Sequence, residues 1–374
     1  MNIVFLSNYF NHHQKPLADA LNERCSFYFI STEKITQERR ALGWGYNQEP
    51  EYVIRYDAEP ERAEQLITNA DAVIAGSAPE ALLRRSIRKG KLVFRYSERP
   101  LKNGLEPLKY VPRLLRWHWR NPCGKRIYLL CASGFAASDY ARFGLFRNKA
   151  YRWGYFPETK AYKDLSKLMK EKKGNSILWA GRFLDWKHPD DAITAAVRLK
   201  DLGYNFSLRL IGNGPMEGAL RERIKREGLE KCVELLGPMP PEQVRAHMEE
   251  TEIFLFTSDR HEGWGAVVNE AMNSGCCVVA SEAAGSVPYL IEQEQNGLTY
   301  CFEDEDGLYN QLRRILDTEG LSARLGAKAY ETVADCWNGE TAAERLIVLA
   351  HKILAGEKYP DLYSQGPCSK ETTR

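Results

Sequence analysis

The sequence predicts an α/β protein built from two Rossmann-like domains, and three observations support this prediction. The chain has 374 residues, a length typical of two domains. Short apolar runs alternate with longer segments of helical periodicity, as in the βαβ units of a parallel sheet. A charged stretch without a strand pattern, 162–176, separates two such series and has the composition of a linker. We therefore expect a first domain at 1–165 and a second domain at 166–339.

The first series alternates strands with helices from residue 3 to residue 136. Strands are predicted at its short apolar runs, Ile3–Leu6, Phe27–Ile30, Ala72–Ala75, Leu92–Arg95 and Ala132–Ala136. Helices are predicted between them at Lys15–Asn22, Arg62–Thr68 and Glu80–Arg88. This order of elements builds a parallel sheet with helices on its faces.

The second series repeats the pattern more regularly. Strands are predicted at Ile177–Ala180, Ser207–Ile211, Val233–Leu236, Ile253–Thr257 and Cys277–Ala280. Helices are predicted at Asp190–Leu199, Met216–Arg226, Pro241–Glu249, Ala266–Asn273 and Val287–Glu292. The polar tail 364–374 is expected to fray. Ligands of such sheets bind beyond the carboxyl ends of the strands, so the loops that follow these strands are the candidate binding loops.

The composition favours a cytoplasmic protein. Nine cysteines are scattered along the chain without a CxxC pair, which is typical of reduced thiols rather than of a disulfide framework or a zinc site. No apolar stretch reaches the ~18 residues of a membrane-spanning helix. The first residues form an apolar strand and lack the basic region of a secretory signal.

Positive charge is concentrated in one part of the chain. Residues 81–130 contain 14 Lys or Arg but only two acids, and so carry a charge of +12 in a chain of net charge +2. The stretch 110–120 inside this segment contains three arginines and two tryptophans, namely Arg113, Arg116, Arg120, Trp117 and Trp119. The arginines share one helical face, and tryptophans are typical of membrane interfaces. An anionic membrane surface, an anionic glycan and an ordinary solvated surface all fit the segment. Nucleic acid is not expected, because no known binding module accompanies it.

Three loops of the second series carry groups that suit a nucleotide. The first begins at Gly181, and its Arg182 and Lys187 offer a guanidinium and an ammonium to a diphosphate. The second opens with a tight turn at Gly212. The third is a rigid proline-rich loop around Met239 that suits a base. Each loop alone also fits an ordinary connecting turn with solvated side chains.

The fourth loop follows the strand at Ile253–Thr257 and is the most informative. It ends with Glu262, Gly263, Trp264, Gly265 and Ala266. Backbone N–H groups at such a strand-to-helix junction suit phosphate oxygens. Glu262 and Glu270 can reach different parts of one long ligand, and carboxylates accept hydrogen bonds from sugar hydroxyls. The alternative is one glutamate that favours the helix dipole and one that is simply exposed.

Together these loops resemble the signatures of retaining glycosyltransferases of the family-4 type. Glu262 and Glu270 match the Glu-x7-Glu hallmark of that family, and GRFLDWKHP matches its Gly-Arg…Lys phosphate loop. LIGNGP and LLGPMPPEQV match two further signatures in the expected order. The resemblance covers 176–310, and the start of the chain, NYFNHHQKPLADAL, is similar to bacterial polysaccharide-assembly members. Many members carry a histidine after a central strand of the first domain, where this chain has Tyr96-Ser97-Glu98-Arg99.

The resemblance implies the GT-B fold, in which two Rossmann-like domains face each other across a cleft and the last helix, here 340–355, crosses back onto the first. It also implies transfer of a sugar, with retention, from a nucleoside diphosphate sugar that we expect to be UDP-linked. The expected acceptor is a glycan or a lipid-linked saccharide of bacterial surface polysaccharide assembly, reached at the inner face of the cell membrane.

Site roles follow from the same resemblance. Arg182, Lys187 and the amides of 263–266 would bind the diphosphate. Glu262 would bind the donor sugar and Glu270 the ribose. A histidine role is not carried over from the family, because Tyr96-Ser97-Glu98-Arg99 stands at the place of its histidine. His13, with His12 beside it, is instead the candidate imidazole at the edge of the cleft, and an ordinary surface histidine is the alternative.

No cofactor and no metal are expected. Asp304-Glu305-Asp306 spells an Asp-x-Asp motif, but it lies past the last signature and is interpreted as a solvated turn. The alternative functions are a nucleotide-sugar epimerase or hydrolase of the same two-domain plan, and a sugar-binding protein without catalysis.

Overall fold

A computed structural model of the chain describes residues 1–36, 45 and 48–372. The chain divides into two compact units, Met1–Glu158 with Cys336–Arg374, and Thr159–Asp335. The first unit is thus built from two separate segments, whereas the second is one continuous segment. The predicted divisions at 165/166 and 339/340 fall a few residues beyond these limits.

The first unit contains a seven-stranded parallel sheet. With elements numbered among the described residues, its strands are β1 (Asn2–Ser7), β2 (Ser26–Ser31), β3 (Val53–Arg55), β4 (Ala72–Ala75), β5 (Leu92–Ser97), β6 (Ile127–Cys131) and β7 (Ala150–Arg152). Its helices before the second unit are α1 (Lys15–Arg24), α2 (Pro60–Asn69), α3 (Glu80–Arg88), α4 (Pro107–Arg120) and α5 (Ala136–Ala141). The strand order β3-β2-β1-β4-β5-β6-β7 reverses direction at β1, which is the doubly wound pattern.

The second unit contains a six-stranded parallel sheet of the order β10-β9-β8-β11-β12-β13. The strands are β8 (Lys173–Ala180), β9 (Ser207–Ile211), β10 (Val233–Gly237), β11 (Thr251–Phe256), β12 (Cys277–Ser281) and β13 (Leu298–Tyr300). The helices are α6 (Leu165–Glu171), α7 (Pro189–Asp201), α8 (Glu217–Arg226), α9 (Pro241–Glu250), α10 (Val267–Asn273), α11 (Val287–Leu290), α12 (Gly307–Asp317) and α13 (Leu321–Asp335). The predicted α/β class with two Rossmann-like parallel sheets is confirmed.

One predicted strand of the first unit is wrong. Residues 132–135 form a turn and residue 136 begins α5, whereas the strand is the apolar run immediately before them, β6, which is buried along its whole length. Alanine-rich segments satisfy a strand pattern weakly, and here the bulkier run fills the sheet instead. β3 and β7 are three residues long, too short for alternation to reveal them.

The predicted linker at 162–176 is structured. It contains α6, which begins after Asp164, whose side chain accepts a hydrogen bond from the Lys167 N–H at 2.9 Å. The Lys172 ammonium then donates to backbone carbonyls of Met248, Thr251 and Ser274. Charge in this stretch therefore holds helix ends together instead of keeping the segment in solvent.

The last helix, α14 (Gly339–Leu354), packs on α1 within the first unit. Contact is close, because a Cβ added at Gly339 would lie 2.8 Å from the Pro16 backbone. The tail after this helix does not fray over its described residues. Arg152 of β7 donates its N–H to Ser369 and accepts one from Cys368, each at 2.8 Å. The expectation that the tail frays is wrong for these residues, because the tail pairs with β7 and extends the edge of the sheet.

α4 carries the stretch 110–120, and its two tryptophans have different environments. Trp117 is 6% exposed and belongs to a small core with Leu101, Phe143 and Leu145. The prediction that Trp117 adds to an exposed interface is therefore wrong, whereas Trp119 is 55% exposed. In the part of the chain that the structure describes, no helix combines the length and the apolar character needed to cross a bilayer.

The three arginines of α4 also differ. Arg116 is exposed, but Arg113 and Arg120 are half-buried. Arg113 lies over the Trp117 ring, 5.8 Å from its centre, and Arg120 Nε lies 3.6 Å from a carboxylate oxygen of Glu80. The arginines therefore do not form one free basic face.

Candidate active site

The carboxyl ends of β8, β9 and β10 meet through glycines. Gly181 donates its N–H to Ile211 at 3.0 Å, and Gly212 donates to Gly237 at 2.9 Å. Gly212 has a φ of +142°, and a Cβ there would lie 1.8 Å from the Gly181 carbonyl oxygen. Only glycine fits at that position, because the backbones of the two strand ends approach each other too closely for a side chain.

The loop after β8 places its two cations differently. Arg182 is exposed, and Lys187 ends a short 3₁₀ turn at Asp185–Lys187. The Thr257 hydroxyl, at the end of β11, donates to the Lys187 carbonyl oxygen at 2.7 Å and accepts from Trp179 Nε1 at 2.9 Å. The buried end of β11 thus fixes the backbone of the phosphate-loop candidate.

Lys187 and Glu262 form an ion pair. Lys187 Nζ donates to Glu262 Oε2 at 2.5 Å, and the Ser258 hydroxyl donates to the same oxygen at 3.0 Å. Their side chains are only 16% and 11% exposed, so the pair is largely shielded from water. The loops after β8 and β11 therefore present one cation and one anion side by side.

Asp259 joins the same two loops. Its Oδ1 accepts the His261 N–H at 2.8 Å, and its Oδ2 lies 3.3 Å from His188 Nε2. Burial raises the pKa of Asp259, but these hydrogen bonds outweigh it and hold the pKa below its usual value. Asp259, His188 and His261 are absent from the predicted site. Their position in the two signature loops, directly after strands, was the available signal.

The segment 263–266 turns sharply before α10. Gly265 has a φ of +89°, and a Cβ there would lie 2.3 Å from the Phe256 ring. The Trp264 ring is 1% exposed, and its Nε1 donates to Asn269 at 2.9 Å. The Trp264 side chain therefore supports the turn and is not available to a ligand, and of this segment Gly265 and Ala266 are the half-buried positions.

Glu270 and Met239 lie on elements that follow two strands of the same sheet, β11 and β10 respectively. Glu270 is half-buried in α10; burial raises its pKa, and Arg245 opposes that shift. Met239 is half-buried in the loop between β10 and α9. The second unit thus brings together Gly181, Lys187, Gly212 and Glu262 by direct contacts, with Arg182, Met239 and Glu270 on adjoining elements.

His13 belongs to the first unit, in the loop between β1 and α1. The backbone N–H of His13 donates to Asn11 Oδ1 at 3.0 Å, and the His13 ring lies 3.8 Å from the His12 ring, centre to centre. Burial and the neighbouring His12 lower the pKa of His13 to about 3, so the imidazole is neutral near pH 7.

Asp304-Glu305-Asp306 lies in an exposed turn before α12. Asp304 accepts the Asp306 N–H at 3.0 Å, and Asp306 pairs with Arg198. Asp304 therefore stabilises the turn, and Asp306 forms an ion pair at the surface.

Comparison with known sequences identifies a family for most of the second unit. Residues 162–332 match the family described as Glycosyl transferases group 1. The chain is 36% identical over 182 residues to the amylovoran biosynthesis glycosyltransferase AmsK of Erwinia amylovora. It is 31% identical over 180 residues to WcaL of Escherichia coli (strain K12), a glycosyltransferase named for colanic acid biosynthesis. The alignments cover 47% and 46% of this chain and 44% of each relative, so the chain matches less than half the length of these relatives.

A solved structure extends the likeness to both units. HepE of Anabaena, in complex with UDP, has a TM-score of 0.69 over 94% of this chain and 100% of its own, at 17% identity. Identity this low shows a common fold. The parallel sheets, the ordered signature loops and these matches agree that residues 162–332 carry a domain of the kind described as Glycosyl transferases group 1, in a chain whose fold is that of the GT-B glycosyltransferases.

Proposed function

We propose that this protein transfers a sugar, with retention of configuration, from a UDP-sugar to an acceptor hydroxyl in the assembly of a bacterial surface polysaccharide. The observation that carries the proposal is the Lys187–Glu262 pair, which stands among glycine-lined strand ends in a group 1 glycosyltransferase domain. UDP is favoured as the nucleotide because HepE, which has the same fold, binds it.

The donor would enter by exchanging partners with this ion pair. A diphosphate attracts the Lys187 ammonium away from Glu262, and exposed Arg182 adds a second charge-assisted contact. Glu262 is then released to accept hydrogen bonds from the hydroxyls of the donor sugar. Glu270 binds the ribose, the loop at Met239 contacts the base, and the strand-end backbone at Gly181 and Gly212 lets the ligand approach.

Catalysis in this scheme is electrostatic. Negative charge develops on the leaving diphosphate, where Lys187, Arg182 and the amides of Gly263 and Ala266 stabilise it. The leaving phosphate accepts the acceptor's proton on the same face of the sugar, which preserves the configuration. Neutral His13 is the imidazole on the acceptor side that can assist in this proton transfer. These groups supply the charge stabilisation without a divalent metal or a cofactor.

The acceptor is a glycan or a lipid-linked saccharide bound by the first unit. The relatives AmsK and WcaL are named for the biosynthesis of polysaccharides, which supports this class of acceptor. The charge of +12 in residues 81–130 supports a cytoplasmic enzyme held at the anionic inner face of the cell membrane.

The donor site is tested by calorimetry with UDP. Arg182→Ala and Lys187→Ala should each weaken UDP binding about 10- to 150-fold, because each removes a charge-assisted contact of roughly 1.5–3 kcal/mol. Arg221→Ala, which removes an exposed cation of α8, is the control and should bind as the unmodified protein does. Unchanged UDP affinity in both site variants would refute the assignment.

Reaction products test the chemistry. The protein is incubated with a labelled UDP-sugar, with and without a lipid-linked acceptor, in EDTA. A labelled saccharide of retained anomeric configuration, formed only with the acceptor, is expected. Free sugar indicates a hydrolase, an epimerised donor indicates an epimerase, and bound but unchanged donor indicates a binding protein. A reaction that EDTA abolishes and Mn²⁺ restores contradicts the metal-independent scheme.

A further inference from the structure

α4 displays a row of apolar side chains to solvent. Leu108 is 93% exposed, Val111 58%, Leu115 65% and Trp119 55%. Successive spacings of three, four and four residues place them in one stripe that spans about 80° of the helix circumference. Among the described residues, the other exposed large apolar side chains are Leu202, Val348 and Tyr359, which lie elsewhere in the chain.

The opposite face of α4 is anchored. Trp117 lies in the core described above, and Tyr110 stacks on Phe143 with ring centres 5.0 Å apart. The Tyr110 hydroxyl also donates to the Arg142 carbonyl oxygen at 3.2 Å. Since this face is fixed on the protein, the apolar row is held outward and cannot be buried by rotation of the helix.

Cations border the row. The Arg84 guanidinium lies over the Trp119 ring, 3.5 Å from its centre. Further exposed cations lie on α4 and at α3 and its C-terminal end, namely Lys109, Arg116, Arg85, Arg88 and Lys89. A convex apolar stripe with a basic margin and a tryptophan is the pattern of a helix that lies in the plane of a membrane interface.

We propose that α4 inserts its row, Leu108, Val111, Leu115 and Trp119, into the interface of an anionic lipid bilayer, while the cations of α3 and α4 contact lipid headgroups. The inference deepens the proposed function, on which its purpose rests, because it would bring the acceptor-binding unit to a lipid-linked substrate. A second copy of the chain is a poorer occupant, since a symmetric contact would oppose two segments of charge +12. Binding of one lipid headgroup by Arg113 and Arg120 is also a poorer explanation than insertion, since both side chains are half-buried against the protein.

Vesicle co-sedimentation tests the insertion with the full chain and without donor or acceptor. The vesicles are phosphatidylcholine alone, or equal parts of phosphatidylcholine and phosphatidylglycerol. Leu108→Ser/Leu115→Ser shortens the apolar row and keeps every cation. Leu202→Ser/Val348→Ser is the matched control, which removes exposed apolar side chains elsewhere. UDP calorimetry on the same samples reports the donor site separately.

Binding to the anionic vesicles is expected, with at least a tenfold loss in the α4 variant and none in the control. Brominated lipid should quench part of the tryptophan fluorescence, and this quenching should be lost in the Trp119→Phe variant. Salt-sensitive binding that the α4 variant retains would overturn insertion and leave only electrostatic adsorption. Absence of vesicle binding also overturns it, as does concentration-dependent self-association that the α4 variant abolishes, which would indicate a second copy. If vesicle binding fails but UDP still binds, the insertion is wrong and the proposed function stands. If vesicle binding is intact but UDP does not bind, the insertion stands and the proposed function is wrong.

Discussion

Lys187 and Glu262 stabilise each other in a largely shielded site. Removing one partner of such a pair leaves the other charge partly buried and uncompensated, which is costly unless a ligand replaces the missing partner. A bound diphosphate would supply Lys187 with the negative charge that Glu262 otherwise provides. The pair therefore holds both side chains in place, and in the proposed function donor binding would release Glu262.

Glu262→Gln and Glu270→Gln should separate the two carboxylates of the motif. Glu262→Gln should depress turnover, since its partner is on the sugar, while UDP affinity should not fall because Lys187 is freed for phosphate. Glu270→Gln should weaken UDP itself through the ribose. Steady-state kinetics and UDP calorimetry distinguish these outcomes, and two variants that turn over like the unmodified protein would show that the motif has another role.

The sequence named Lys187 and Glu262 as candidate residues but did not reveal the contact between them. Lys187 and Glu262 each stand in a recognisable loop, yet they are 75 residues apart, and only the parallel pairing of β8 with β11 brings them together. The link from His188 through Asp259 to His261 depends on the same pairing. Their place in the signature loops marks these three residues as candidates, but no spacing in the sequence reveals that they contact one another.

At the level of elements, α4 combines an anchored face with an exposed one. Trp117 and Trp119 are two residues apart on one helix, and so they offer a matched pair of substitutions. Trp117→Ala should destabilise the first unit by about 3–5 kcal/mol, because it empties a packed core. Trp119→Ala should change stability by less than about 1 kcal/mol. Urea denaturation measures both, and equal losses would contradict the assignment of the two faces.

Elements were predictable where apolar periodicity was long enough. Most of the central strands, together with α1–α3, α7–α11 and α14, follow from the sequence, whereas β6 was placed five residues too late and β13, α12 and α13 were not predicted. The three-residue edge strands β3 and β7 do not, because a sheet neighbour and not their own pattern holds them extended. α6 was concealed by charge, since its lysines and acids resemble a linker until the carbonyls that surround Lys172 are known.

The molecule as a whole is one continuous unit inserted into a unit made of two segments. A fragment of residues 159–335 should fold alone and bind UDP within a few-fold of the full chain. Residues 1–158 should not fold, because α1 loses α14 and β7 loses the segment 368–371 that pairs with it. Circular dichroism during thermal unfolding and UDP calorimetry test both fragments. Cooperative unfolding of 1–158 would contradict the dependence on the second segment.

The position of α14 and the tail also determines when each unit can be completed during synthesis. The strands β1 to β7 leave the ribosome first, but α14 and residues 368–371 follow only after the second unit has been made. At about 5–20 residues per second, the first unit waits roughly 10–40 s for its last pieces. Through that interval the β7 edge is open to pairing with another nascent chain. The half of the protein that is translated first is therefore the last to close.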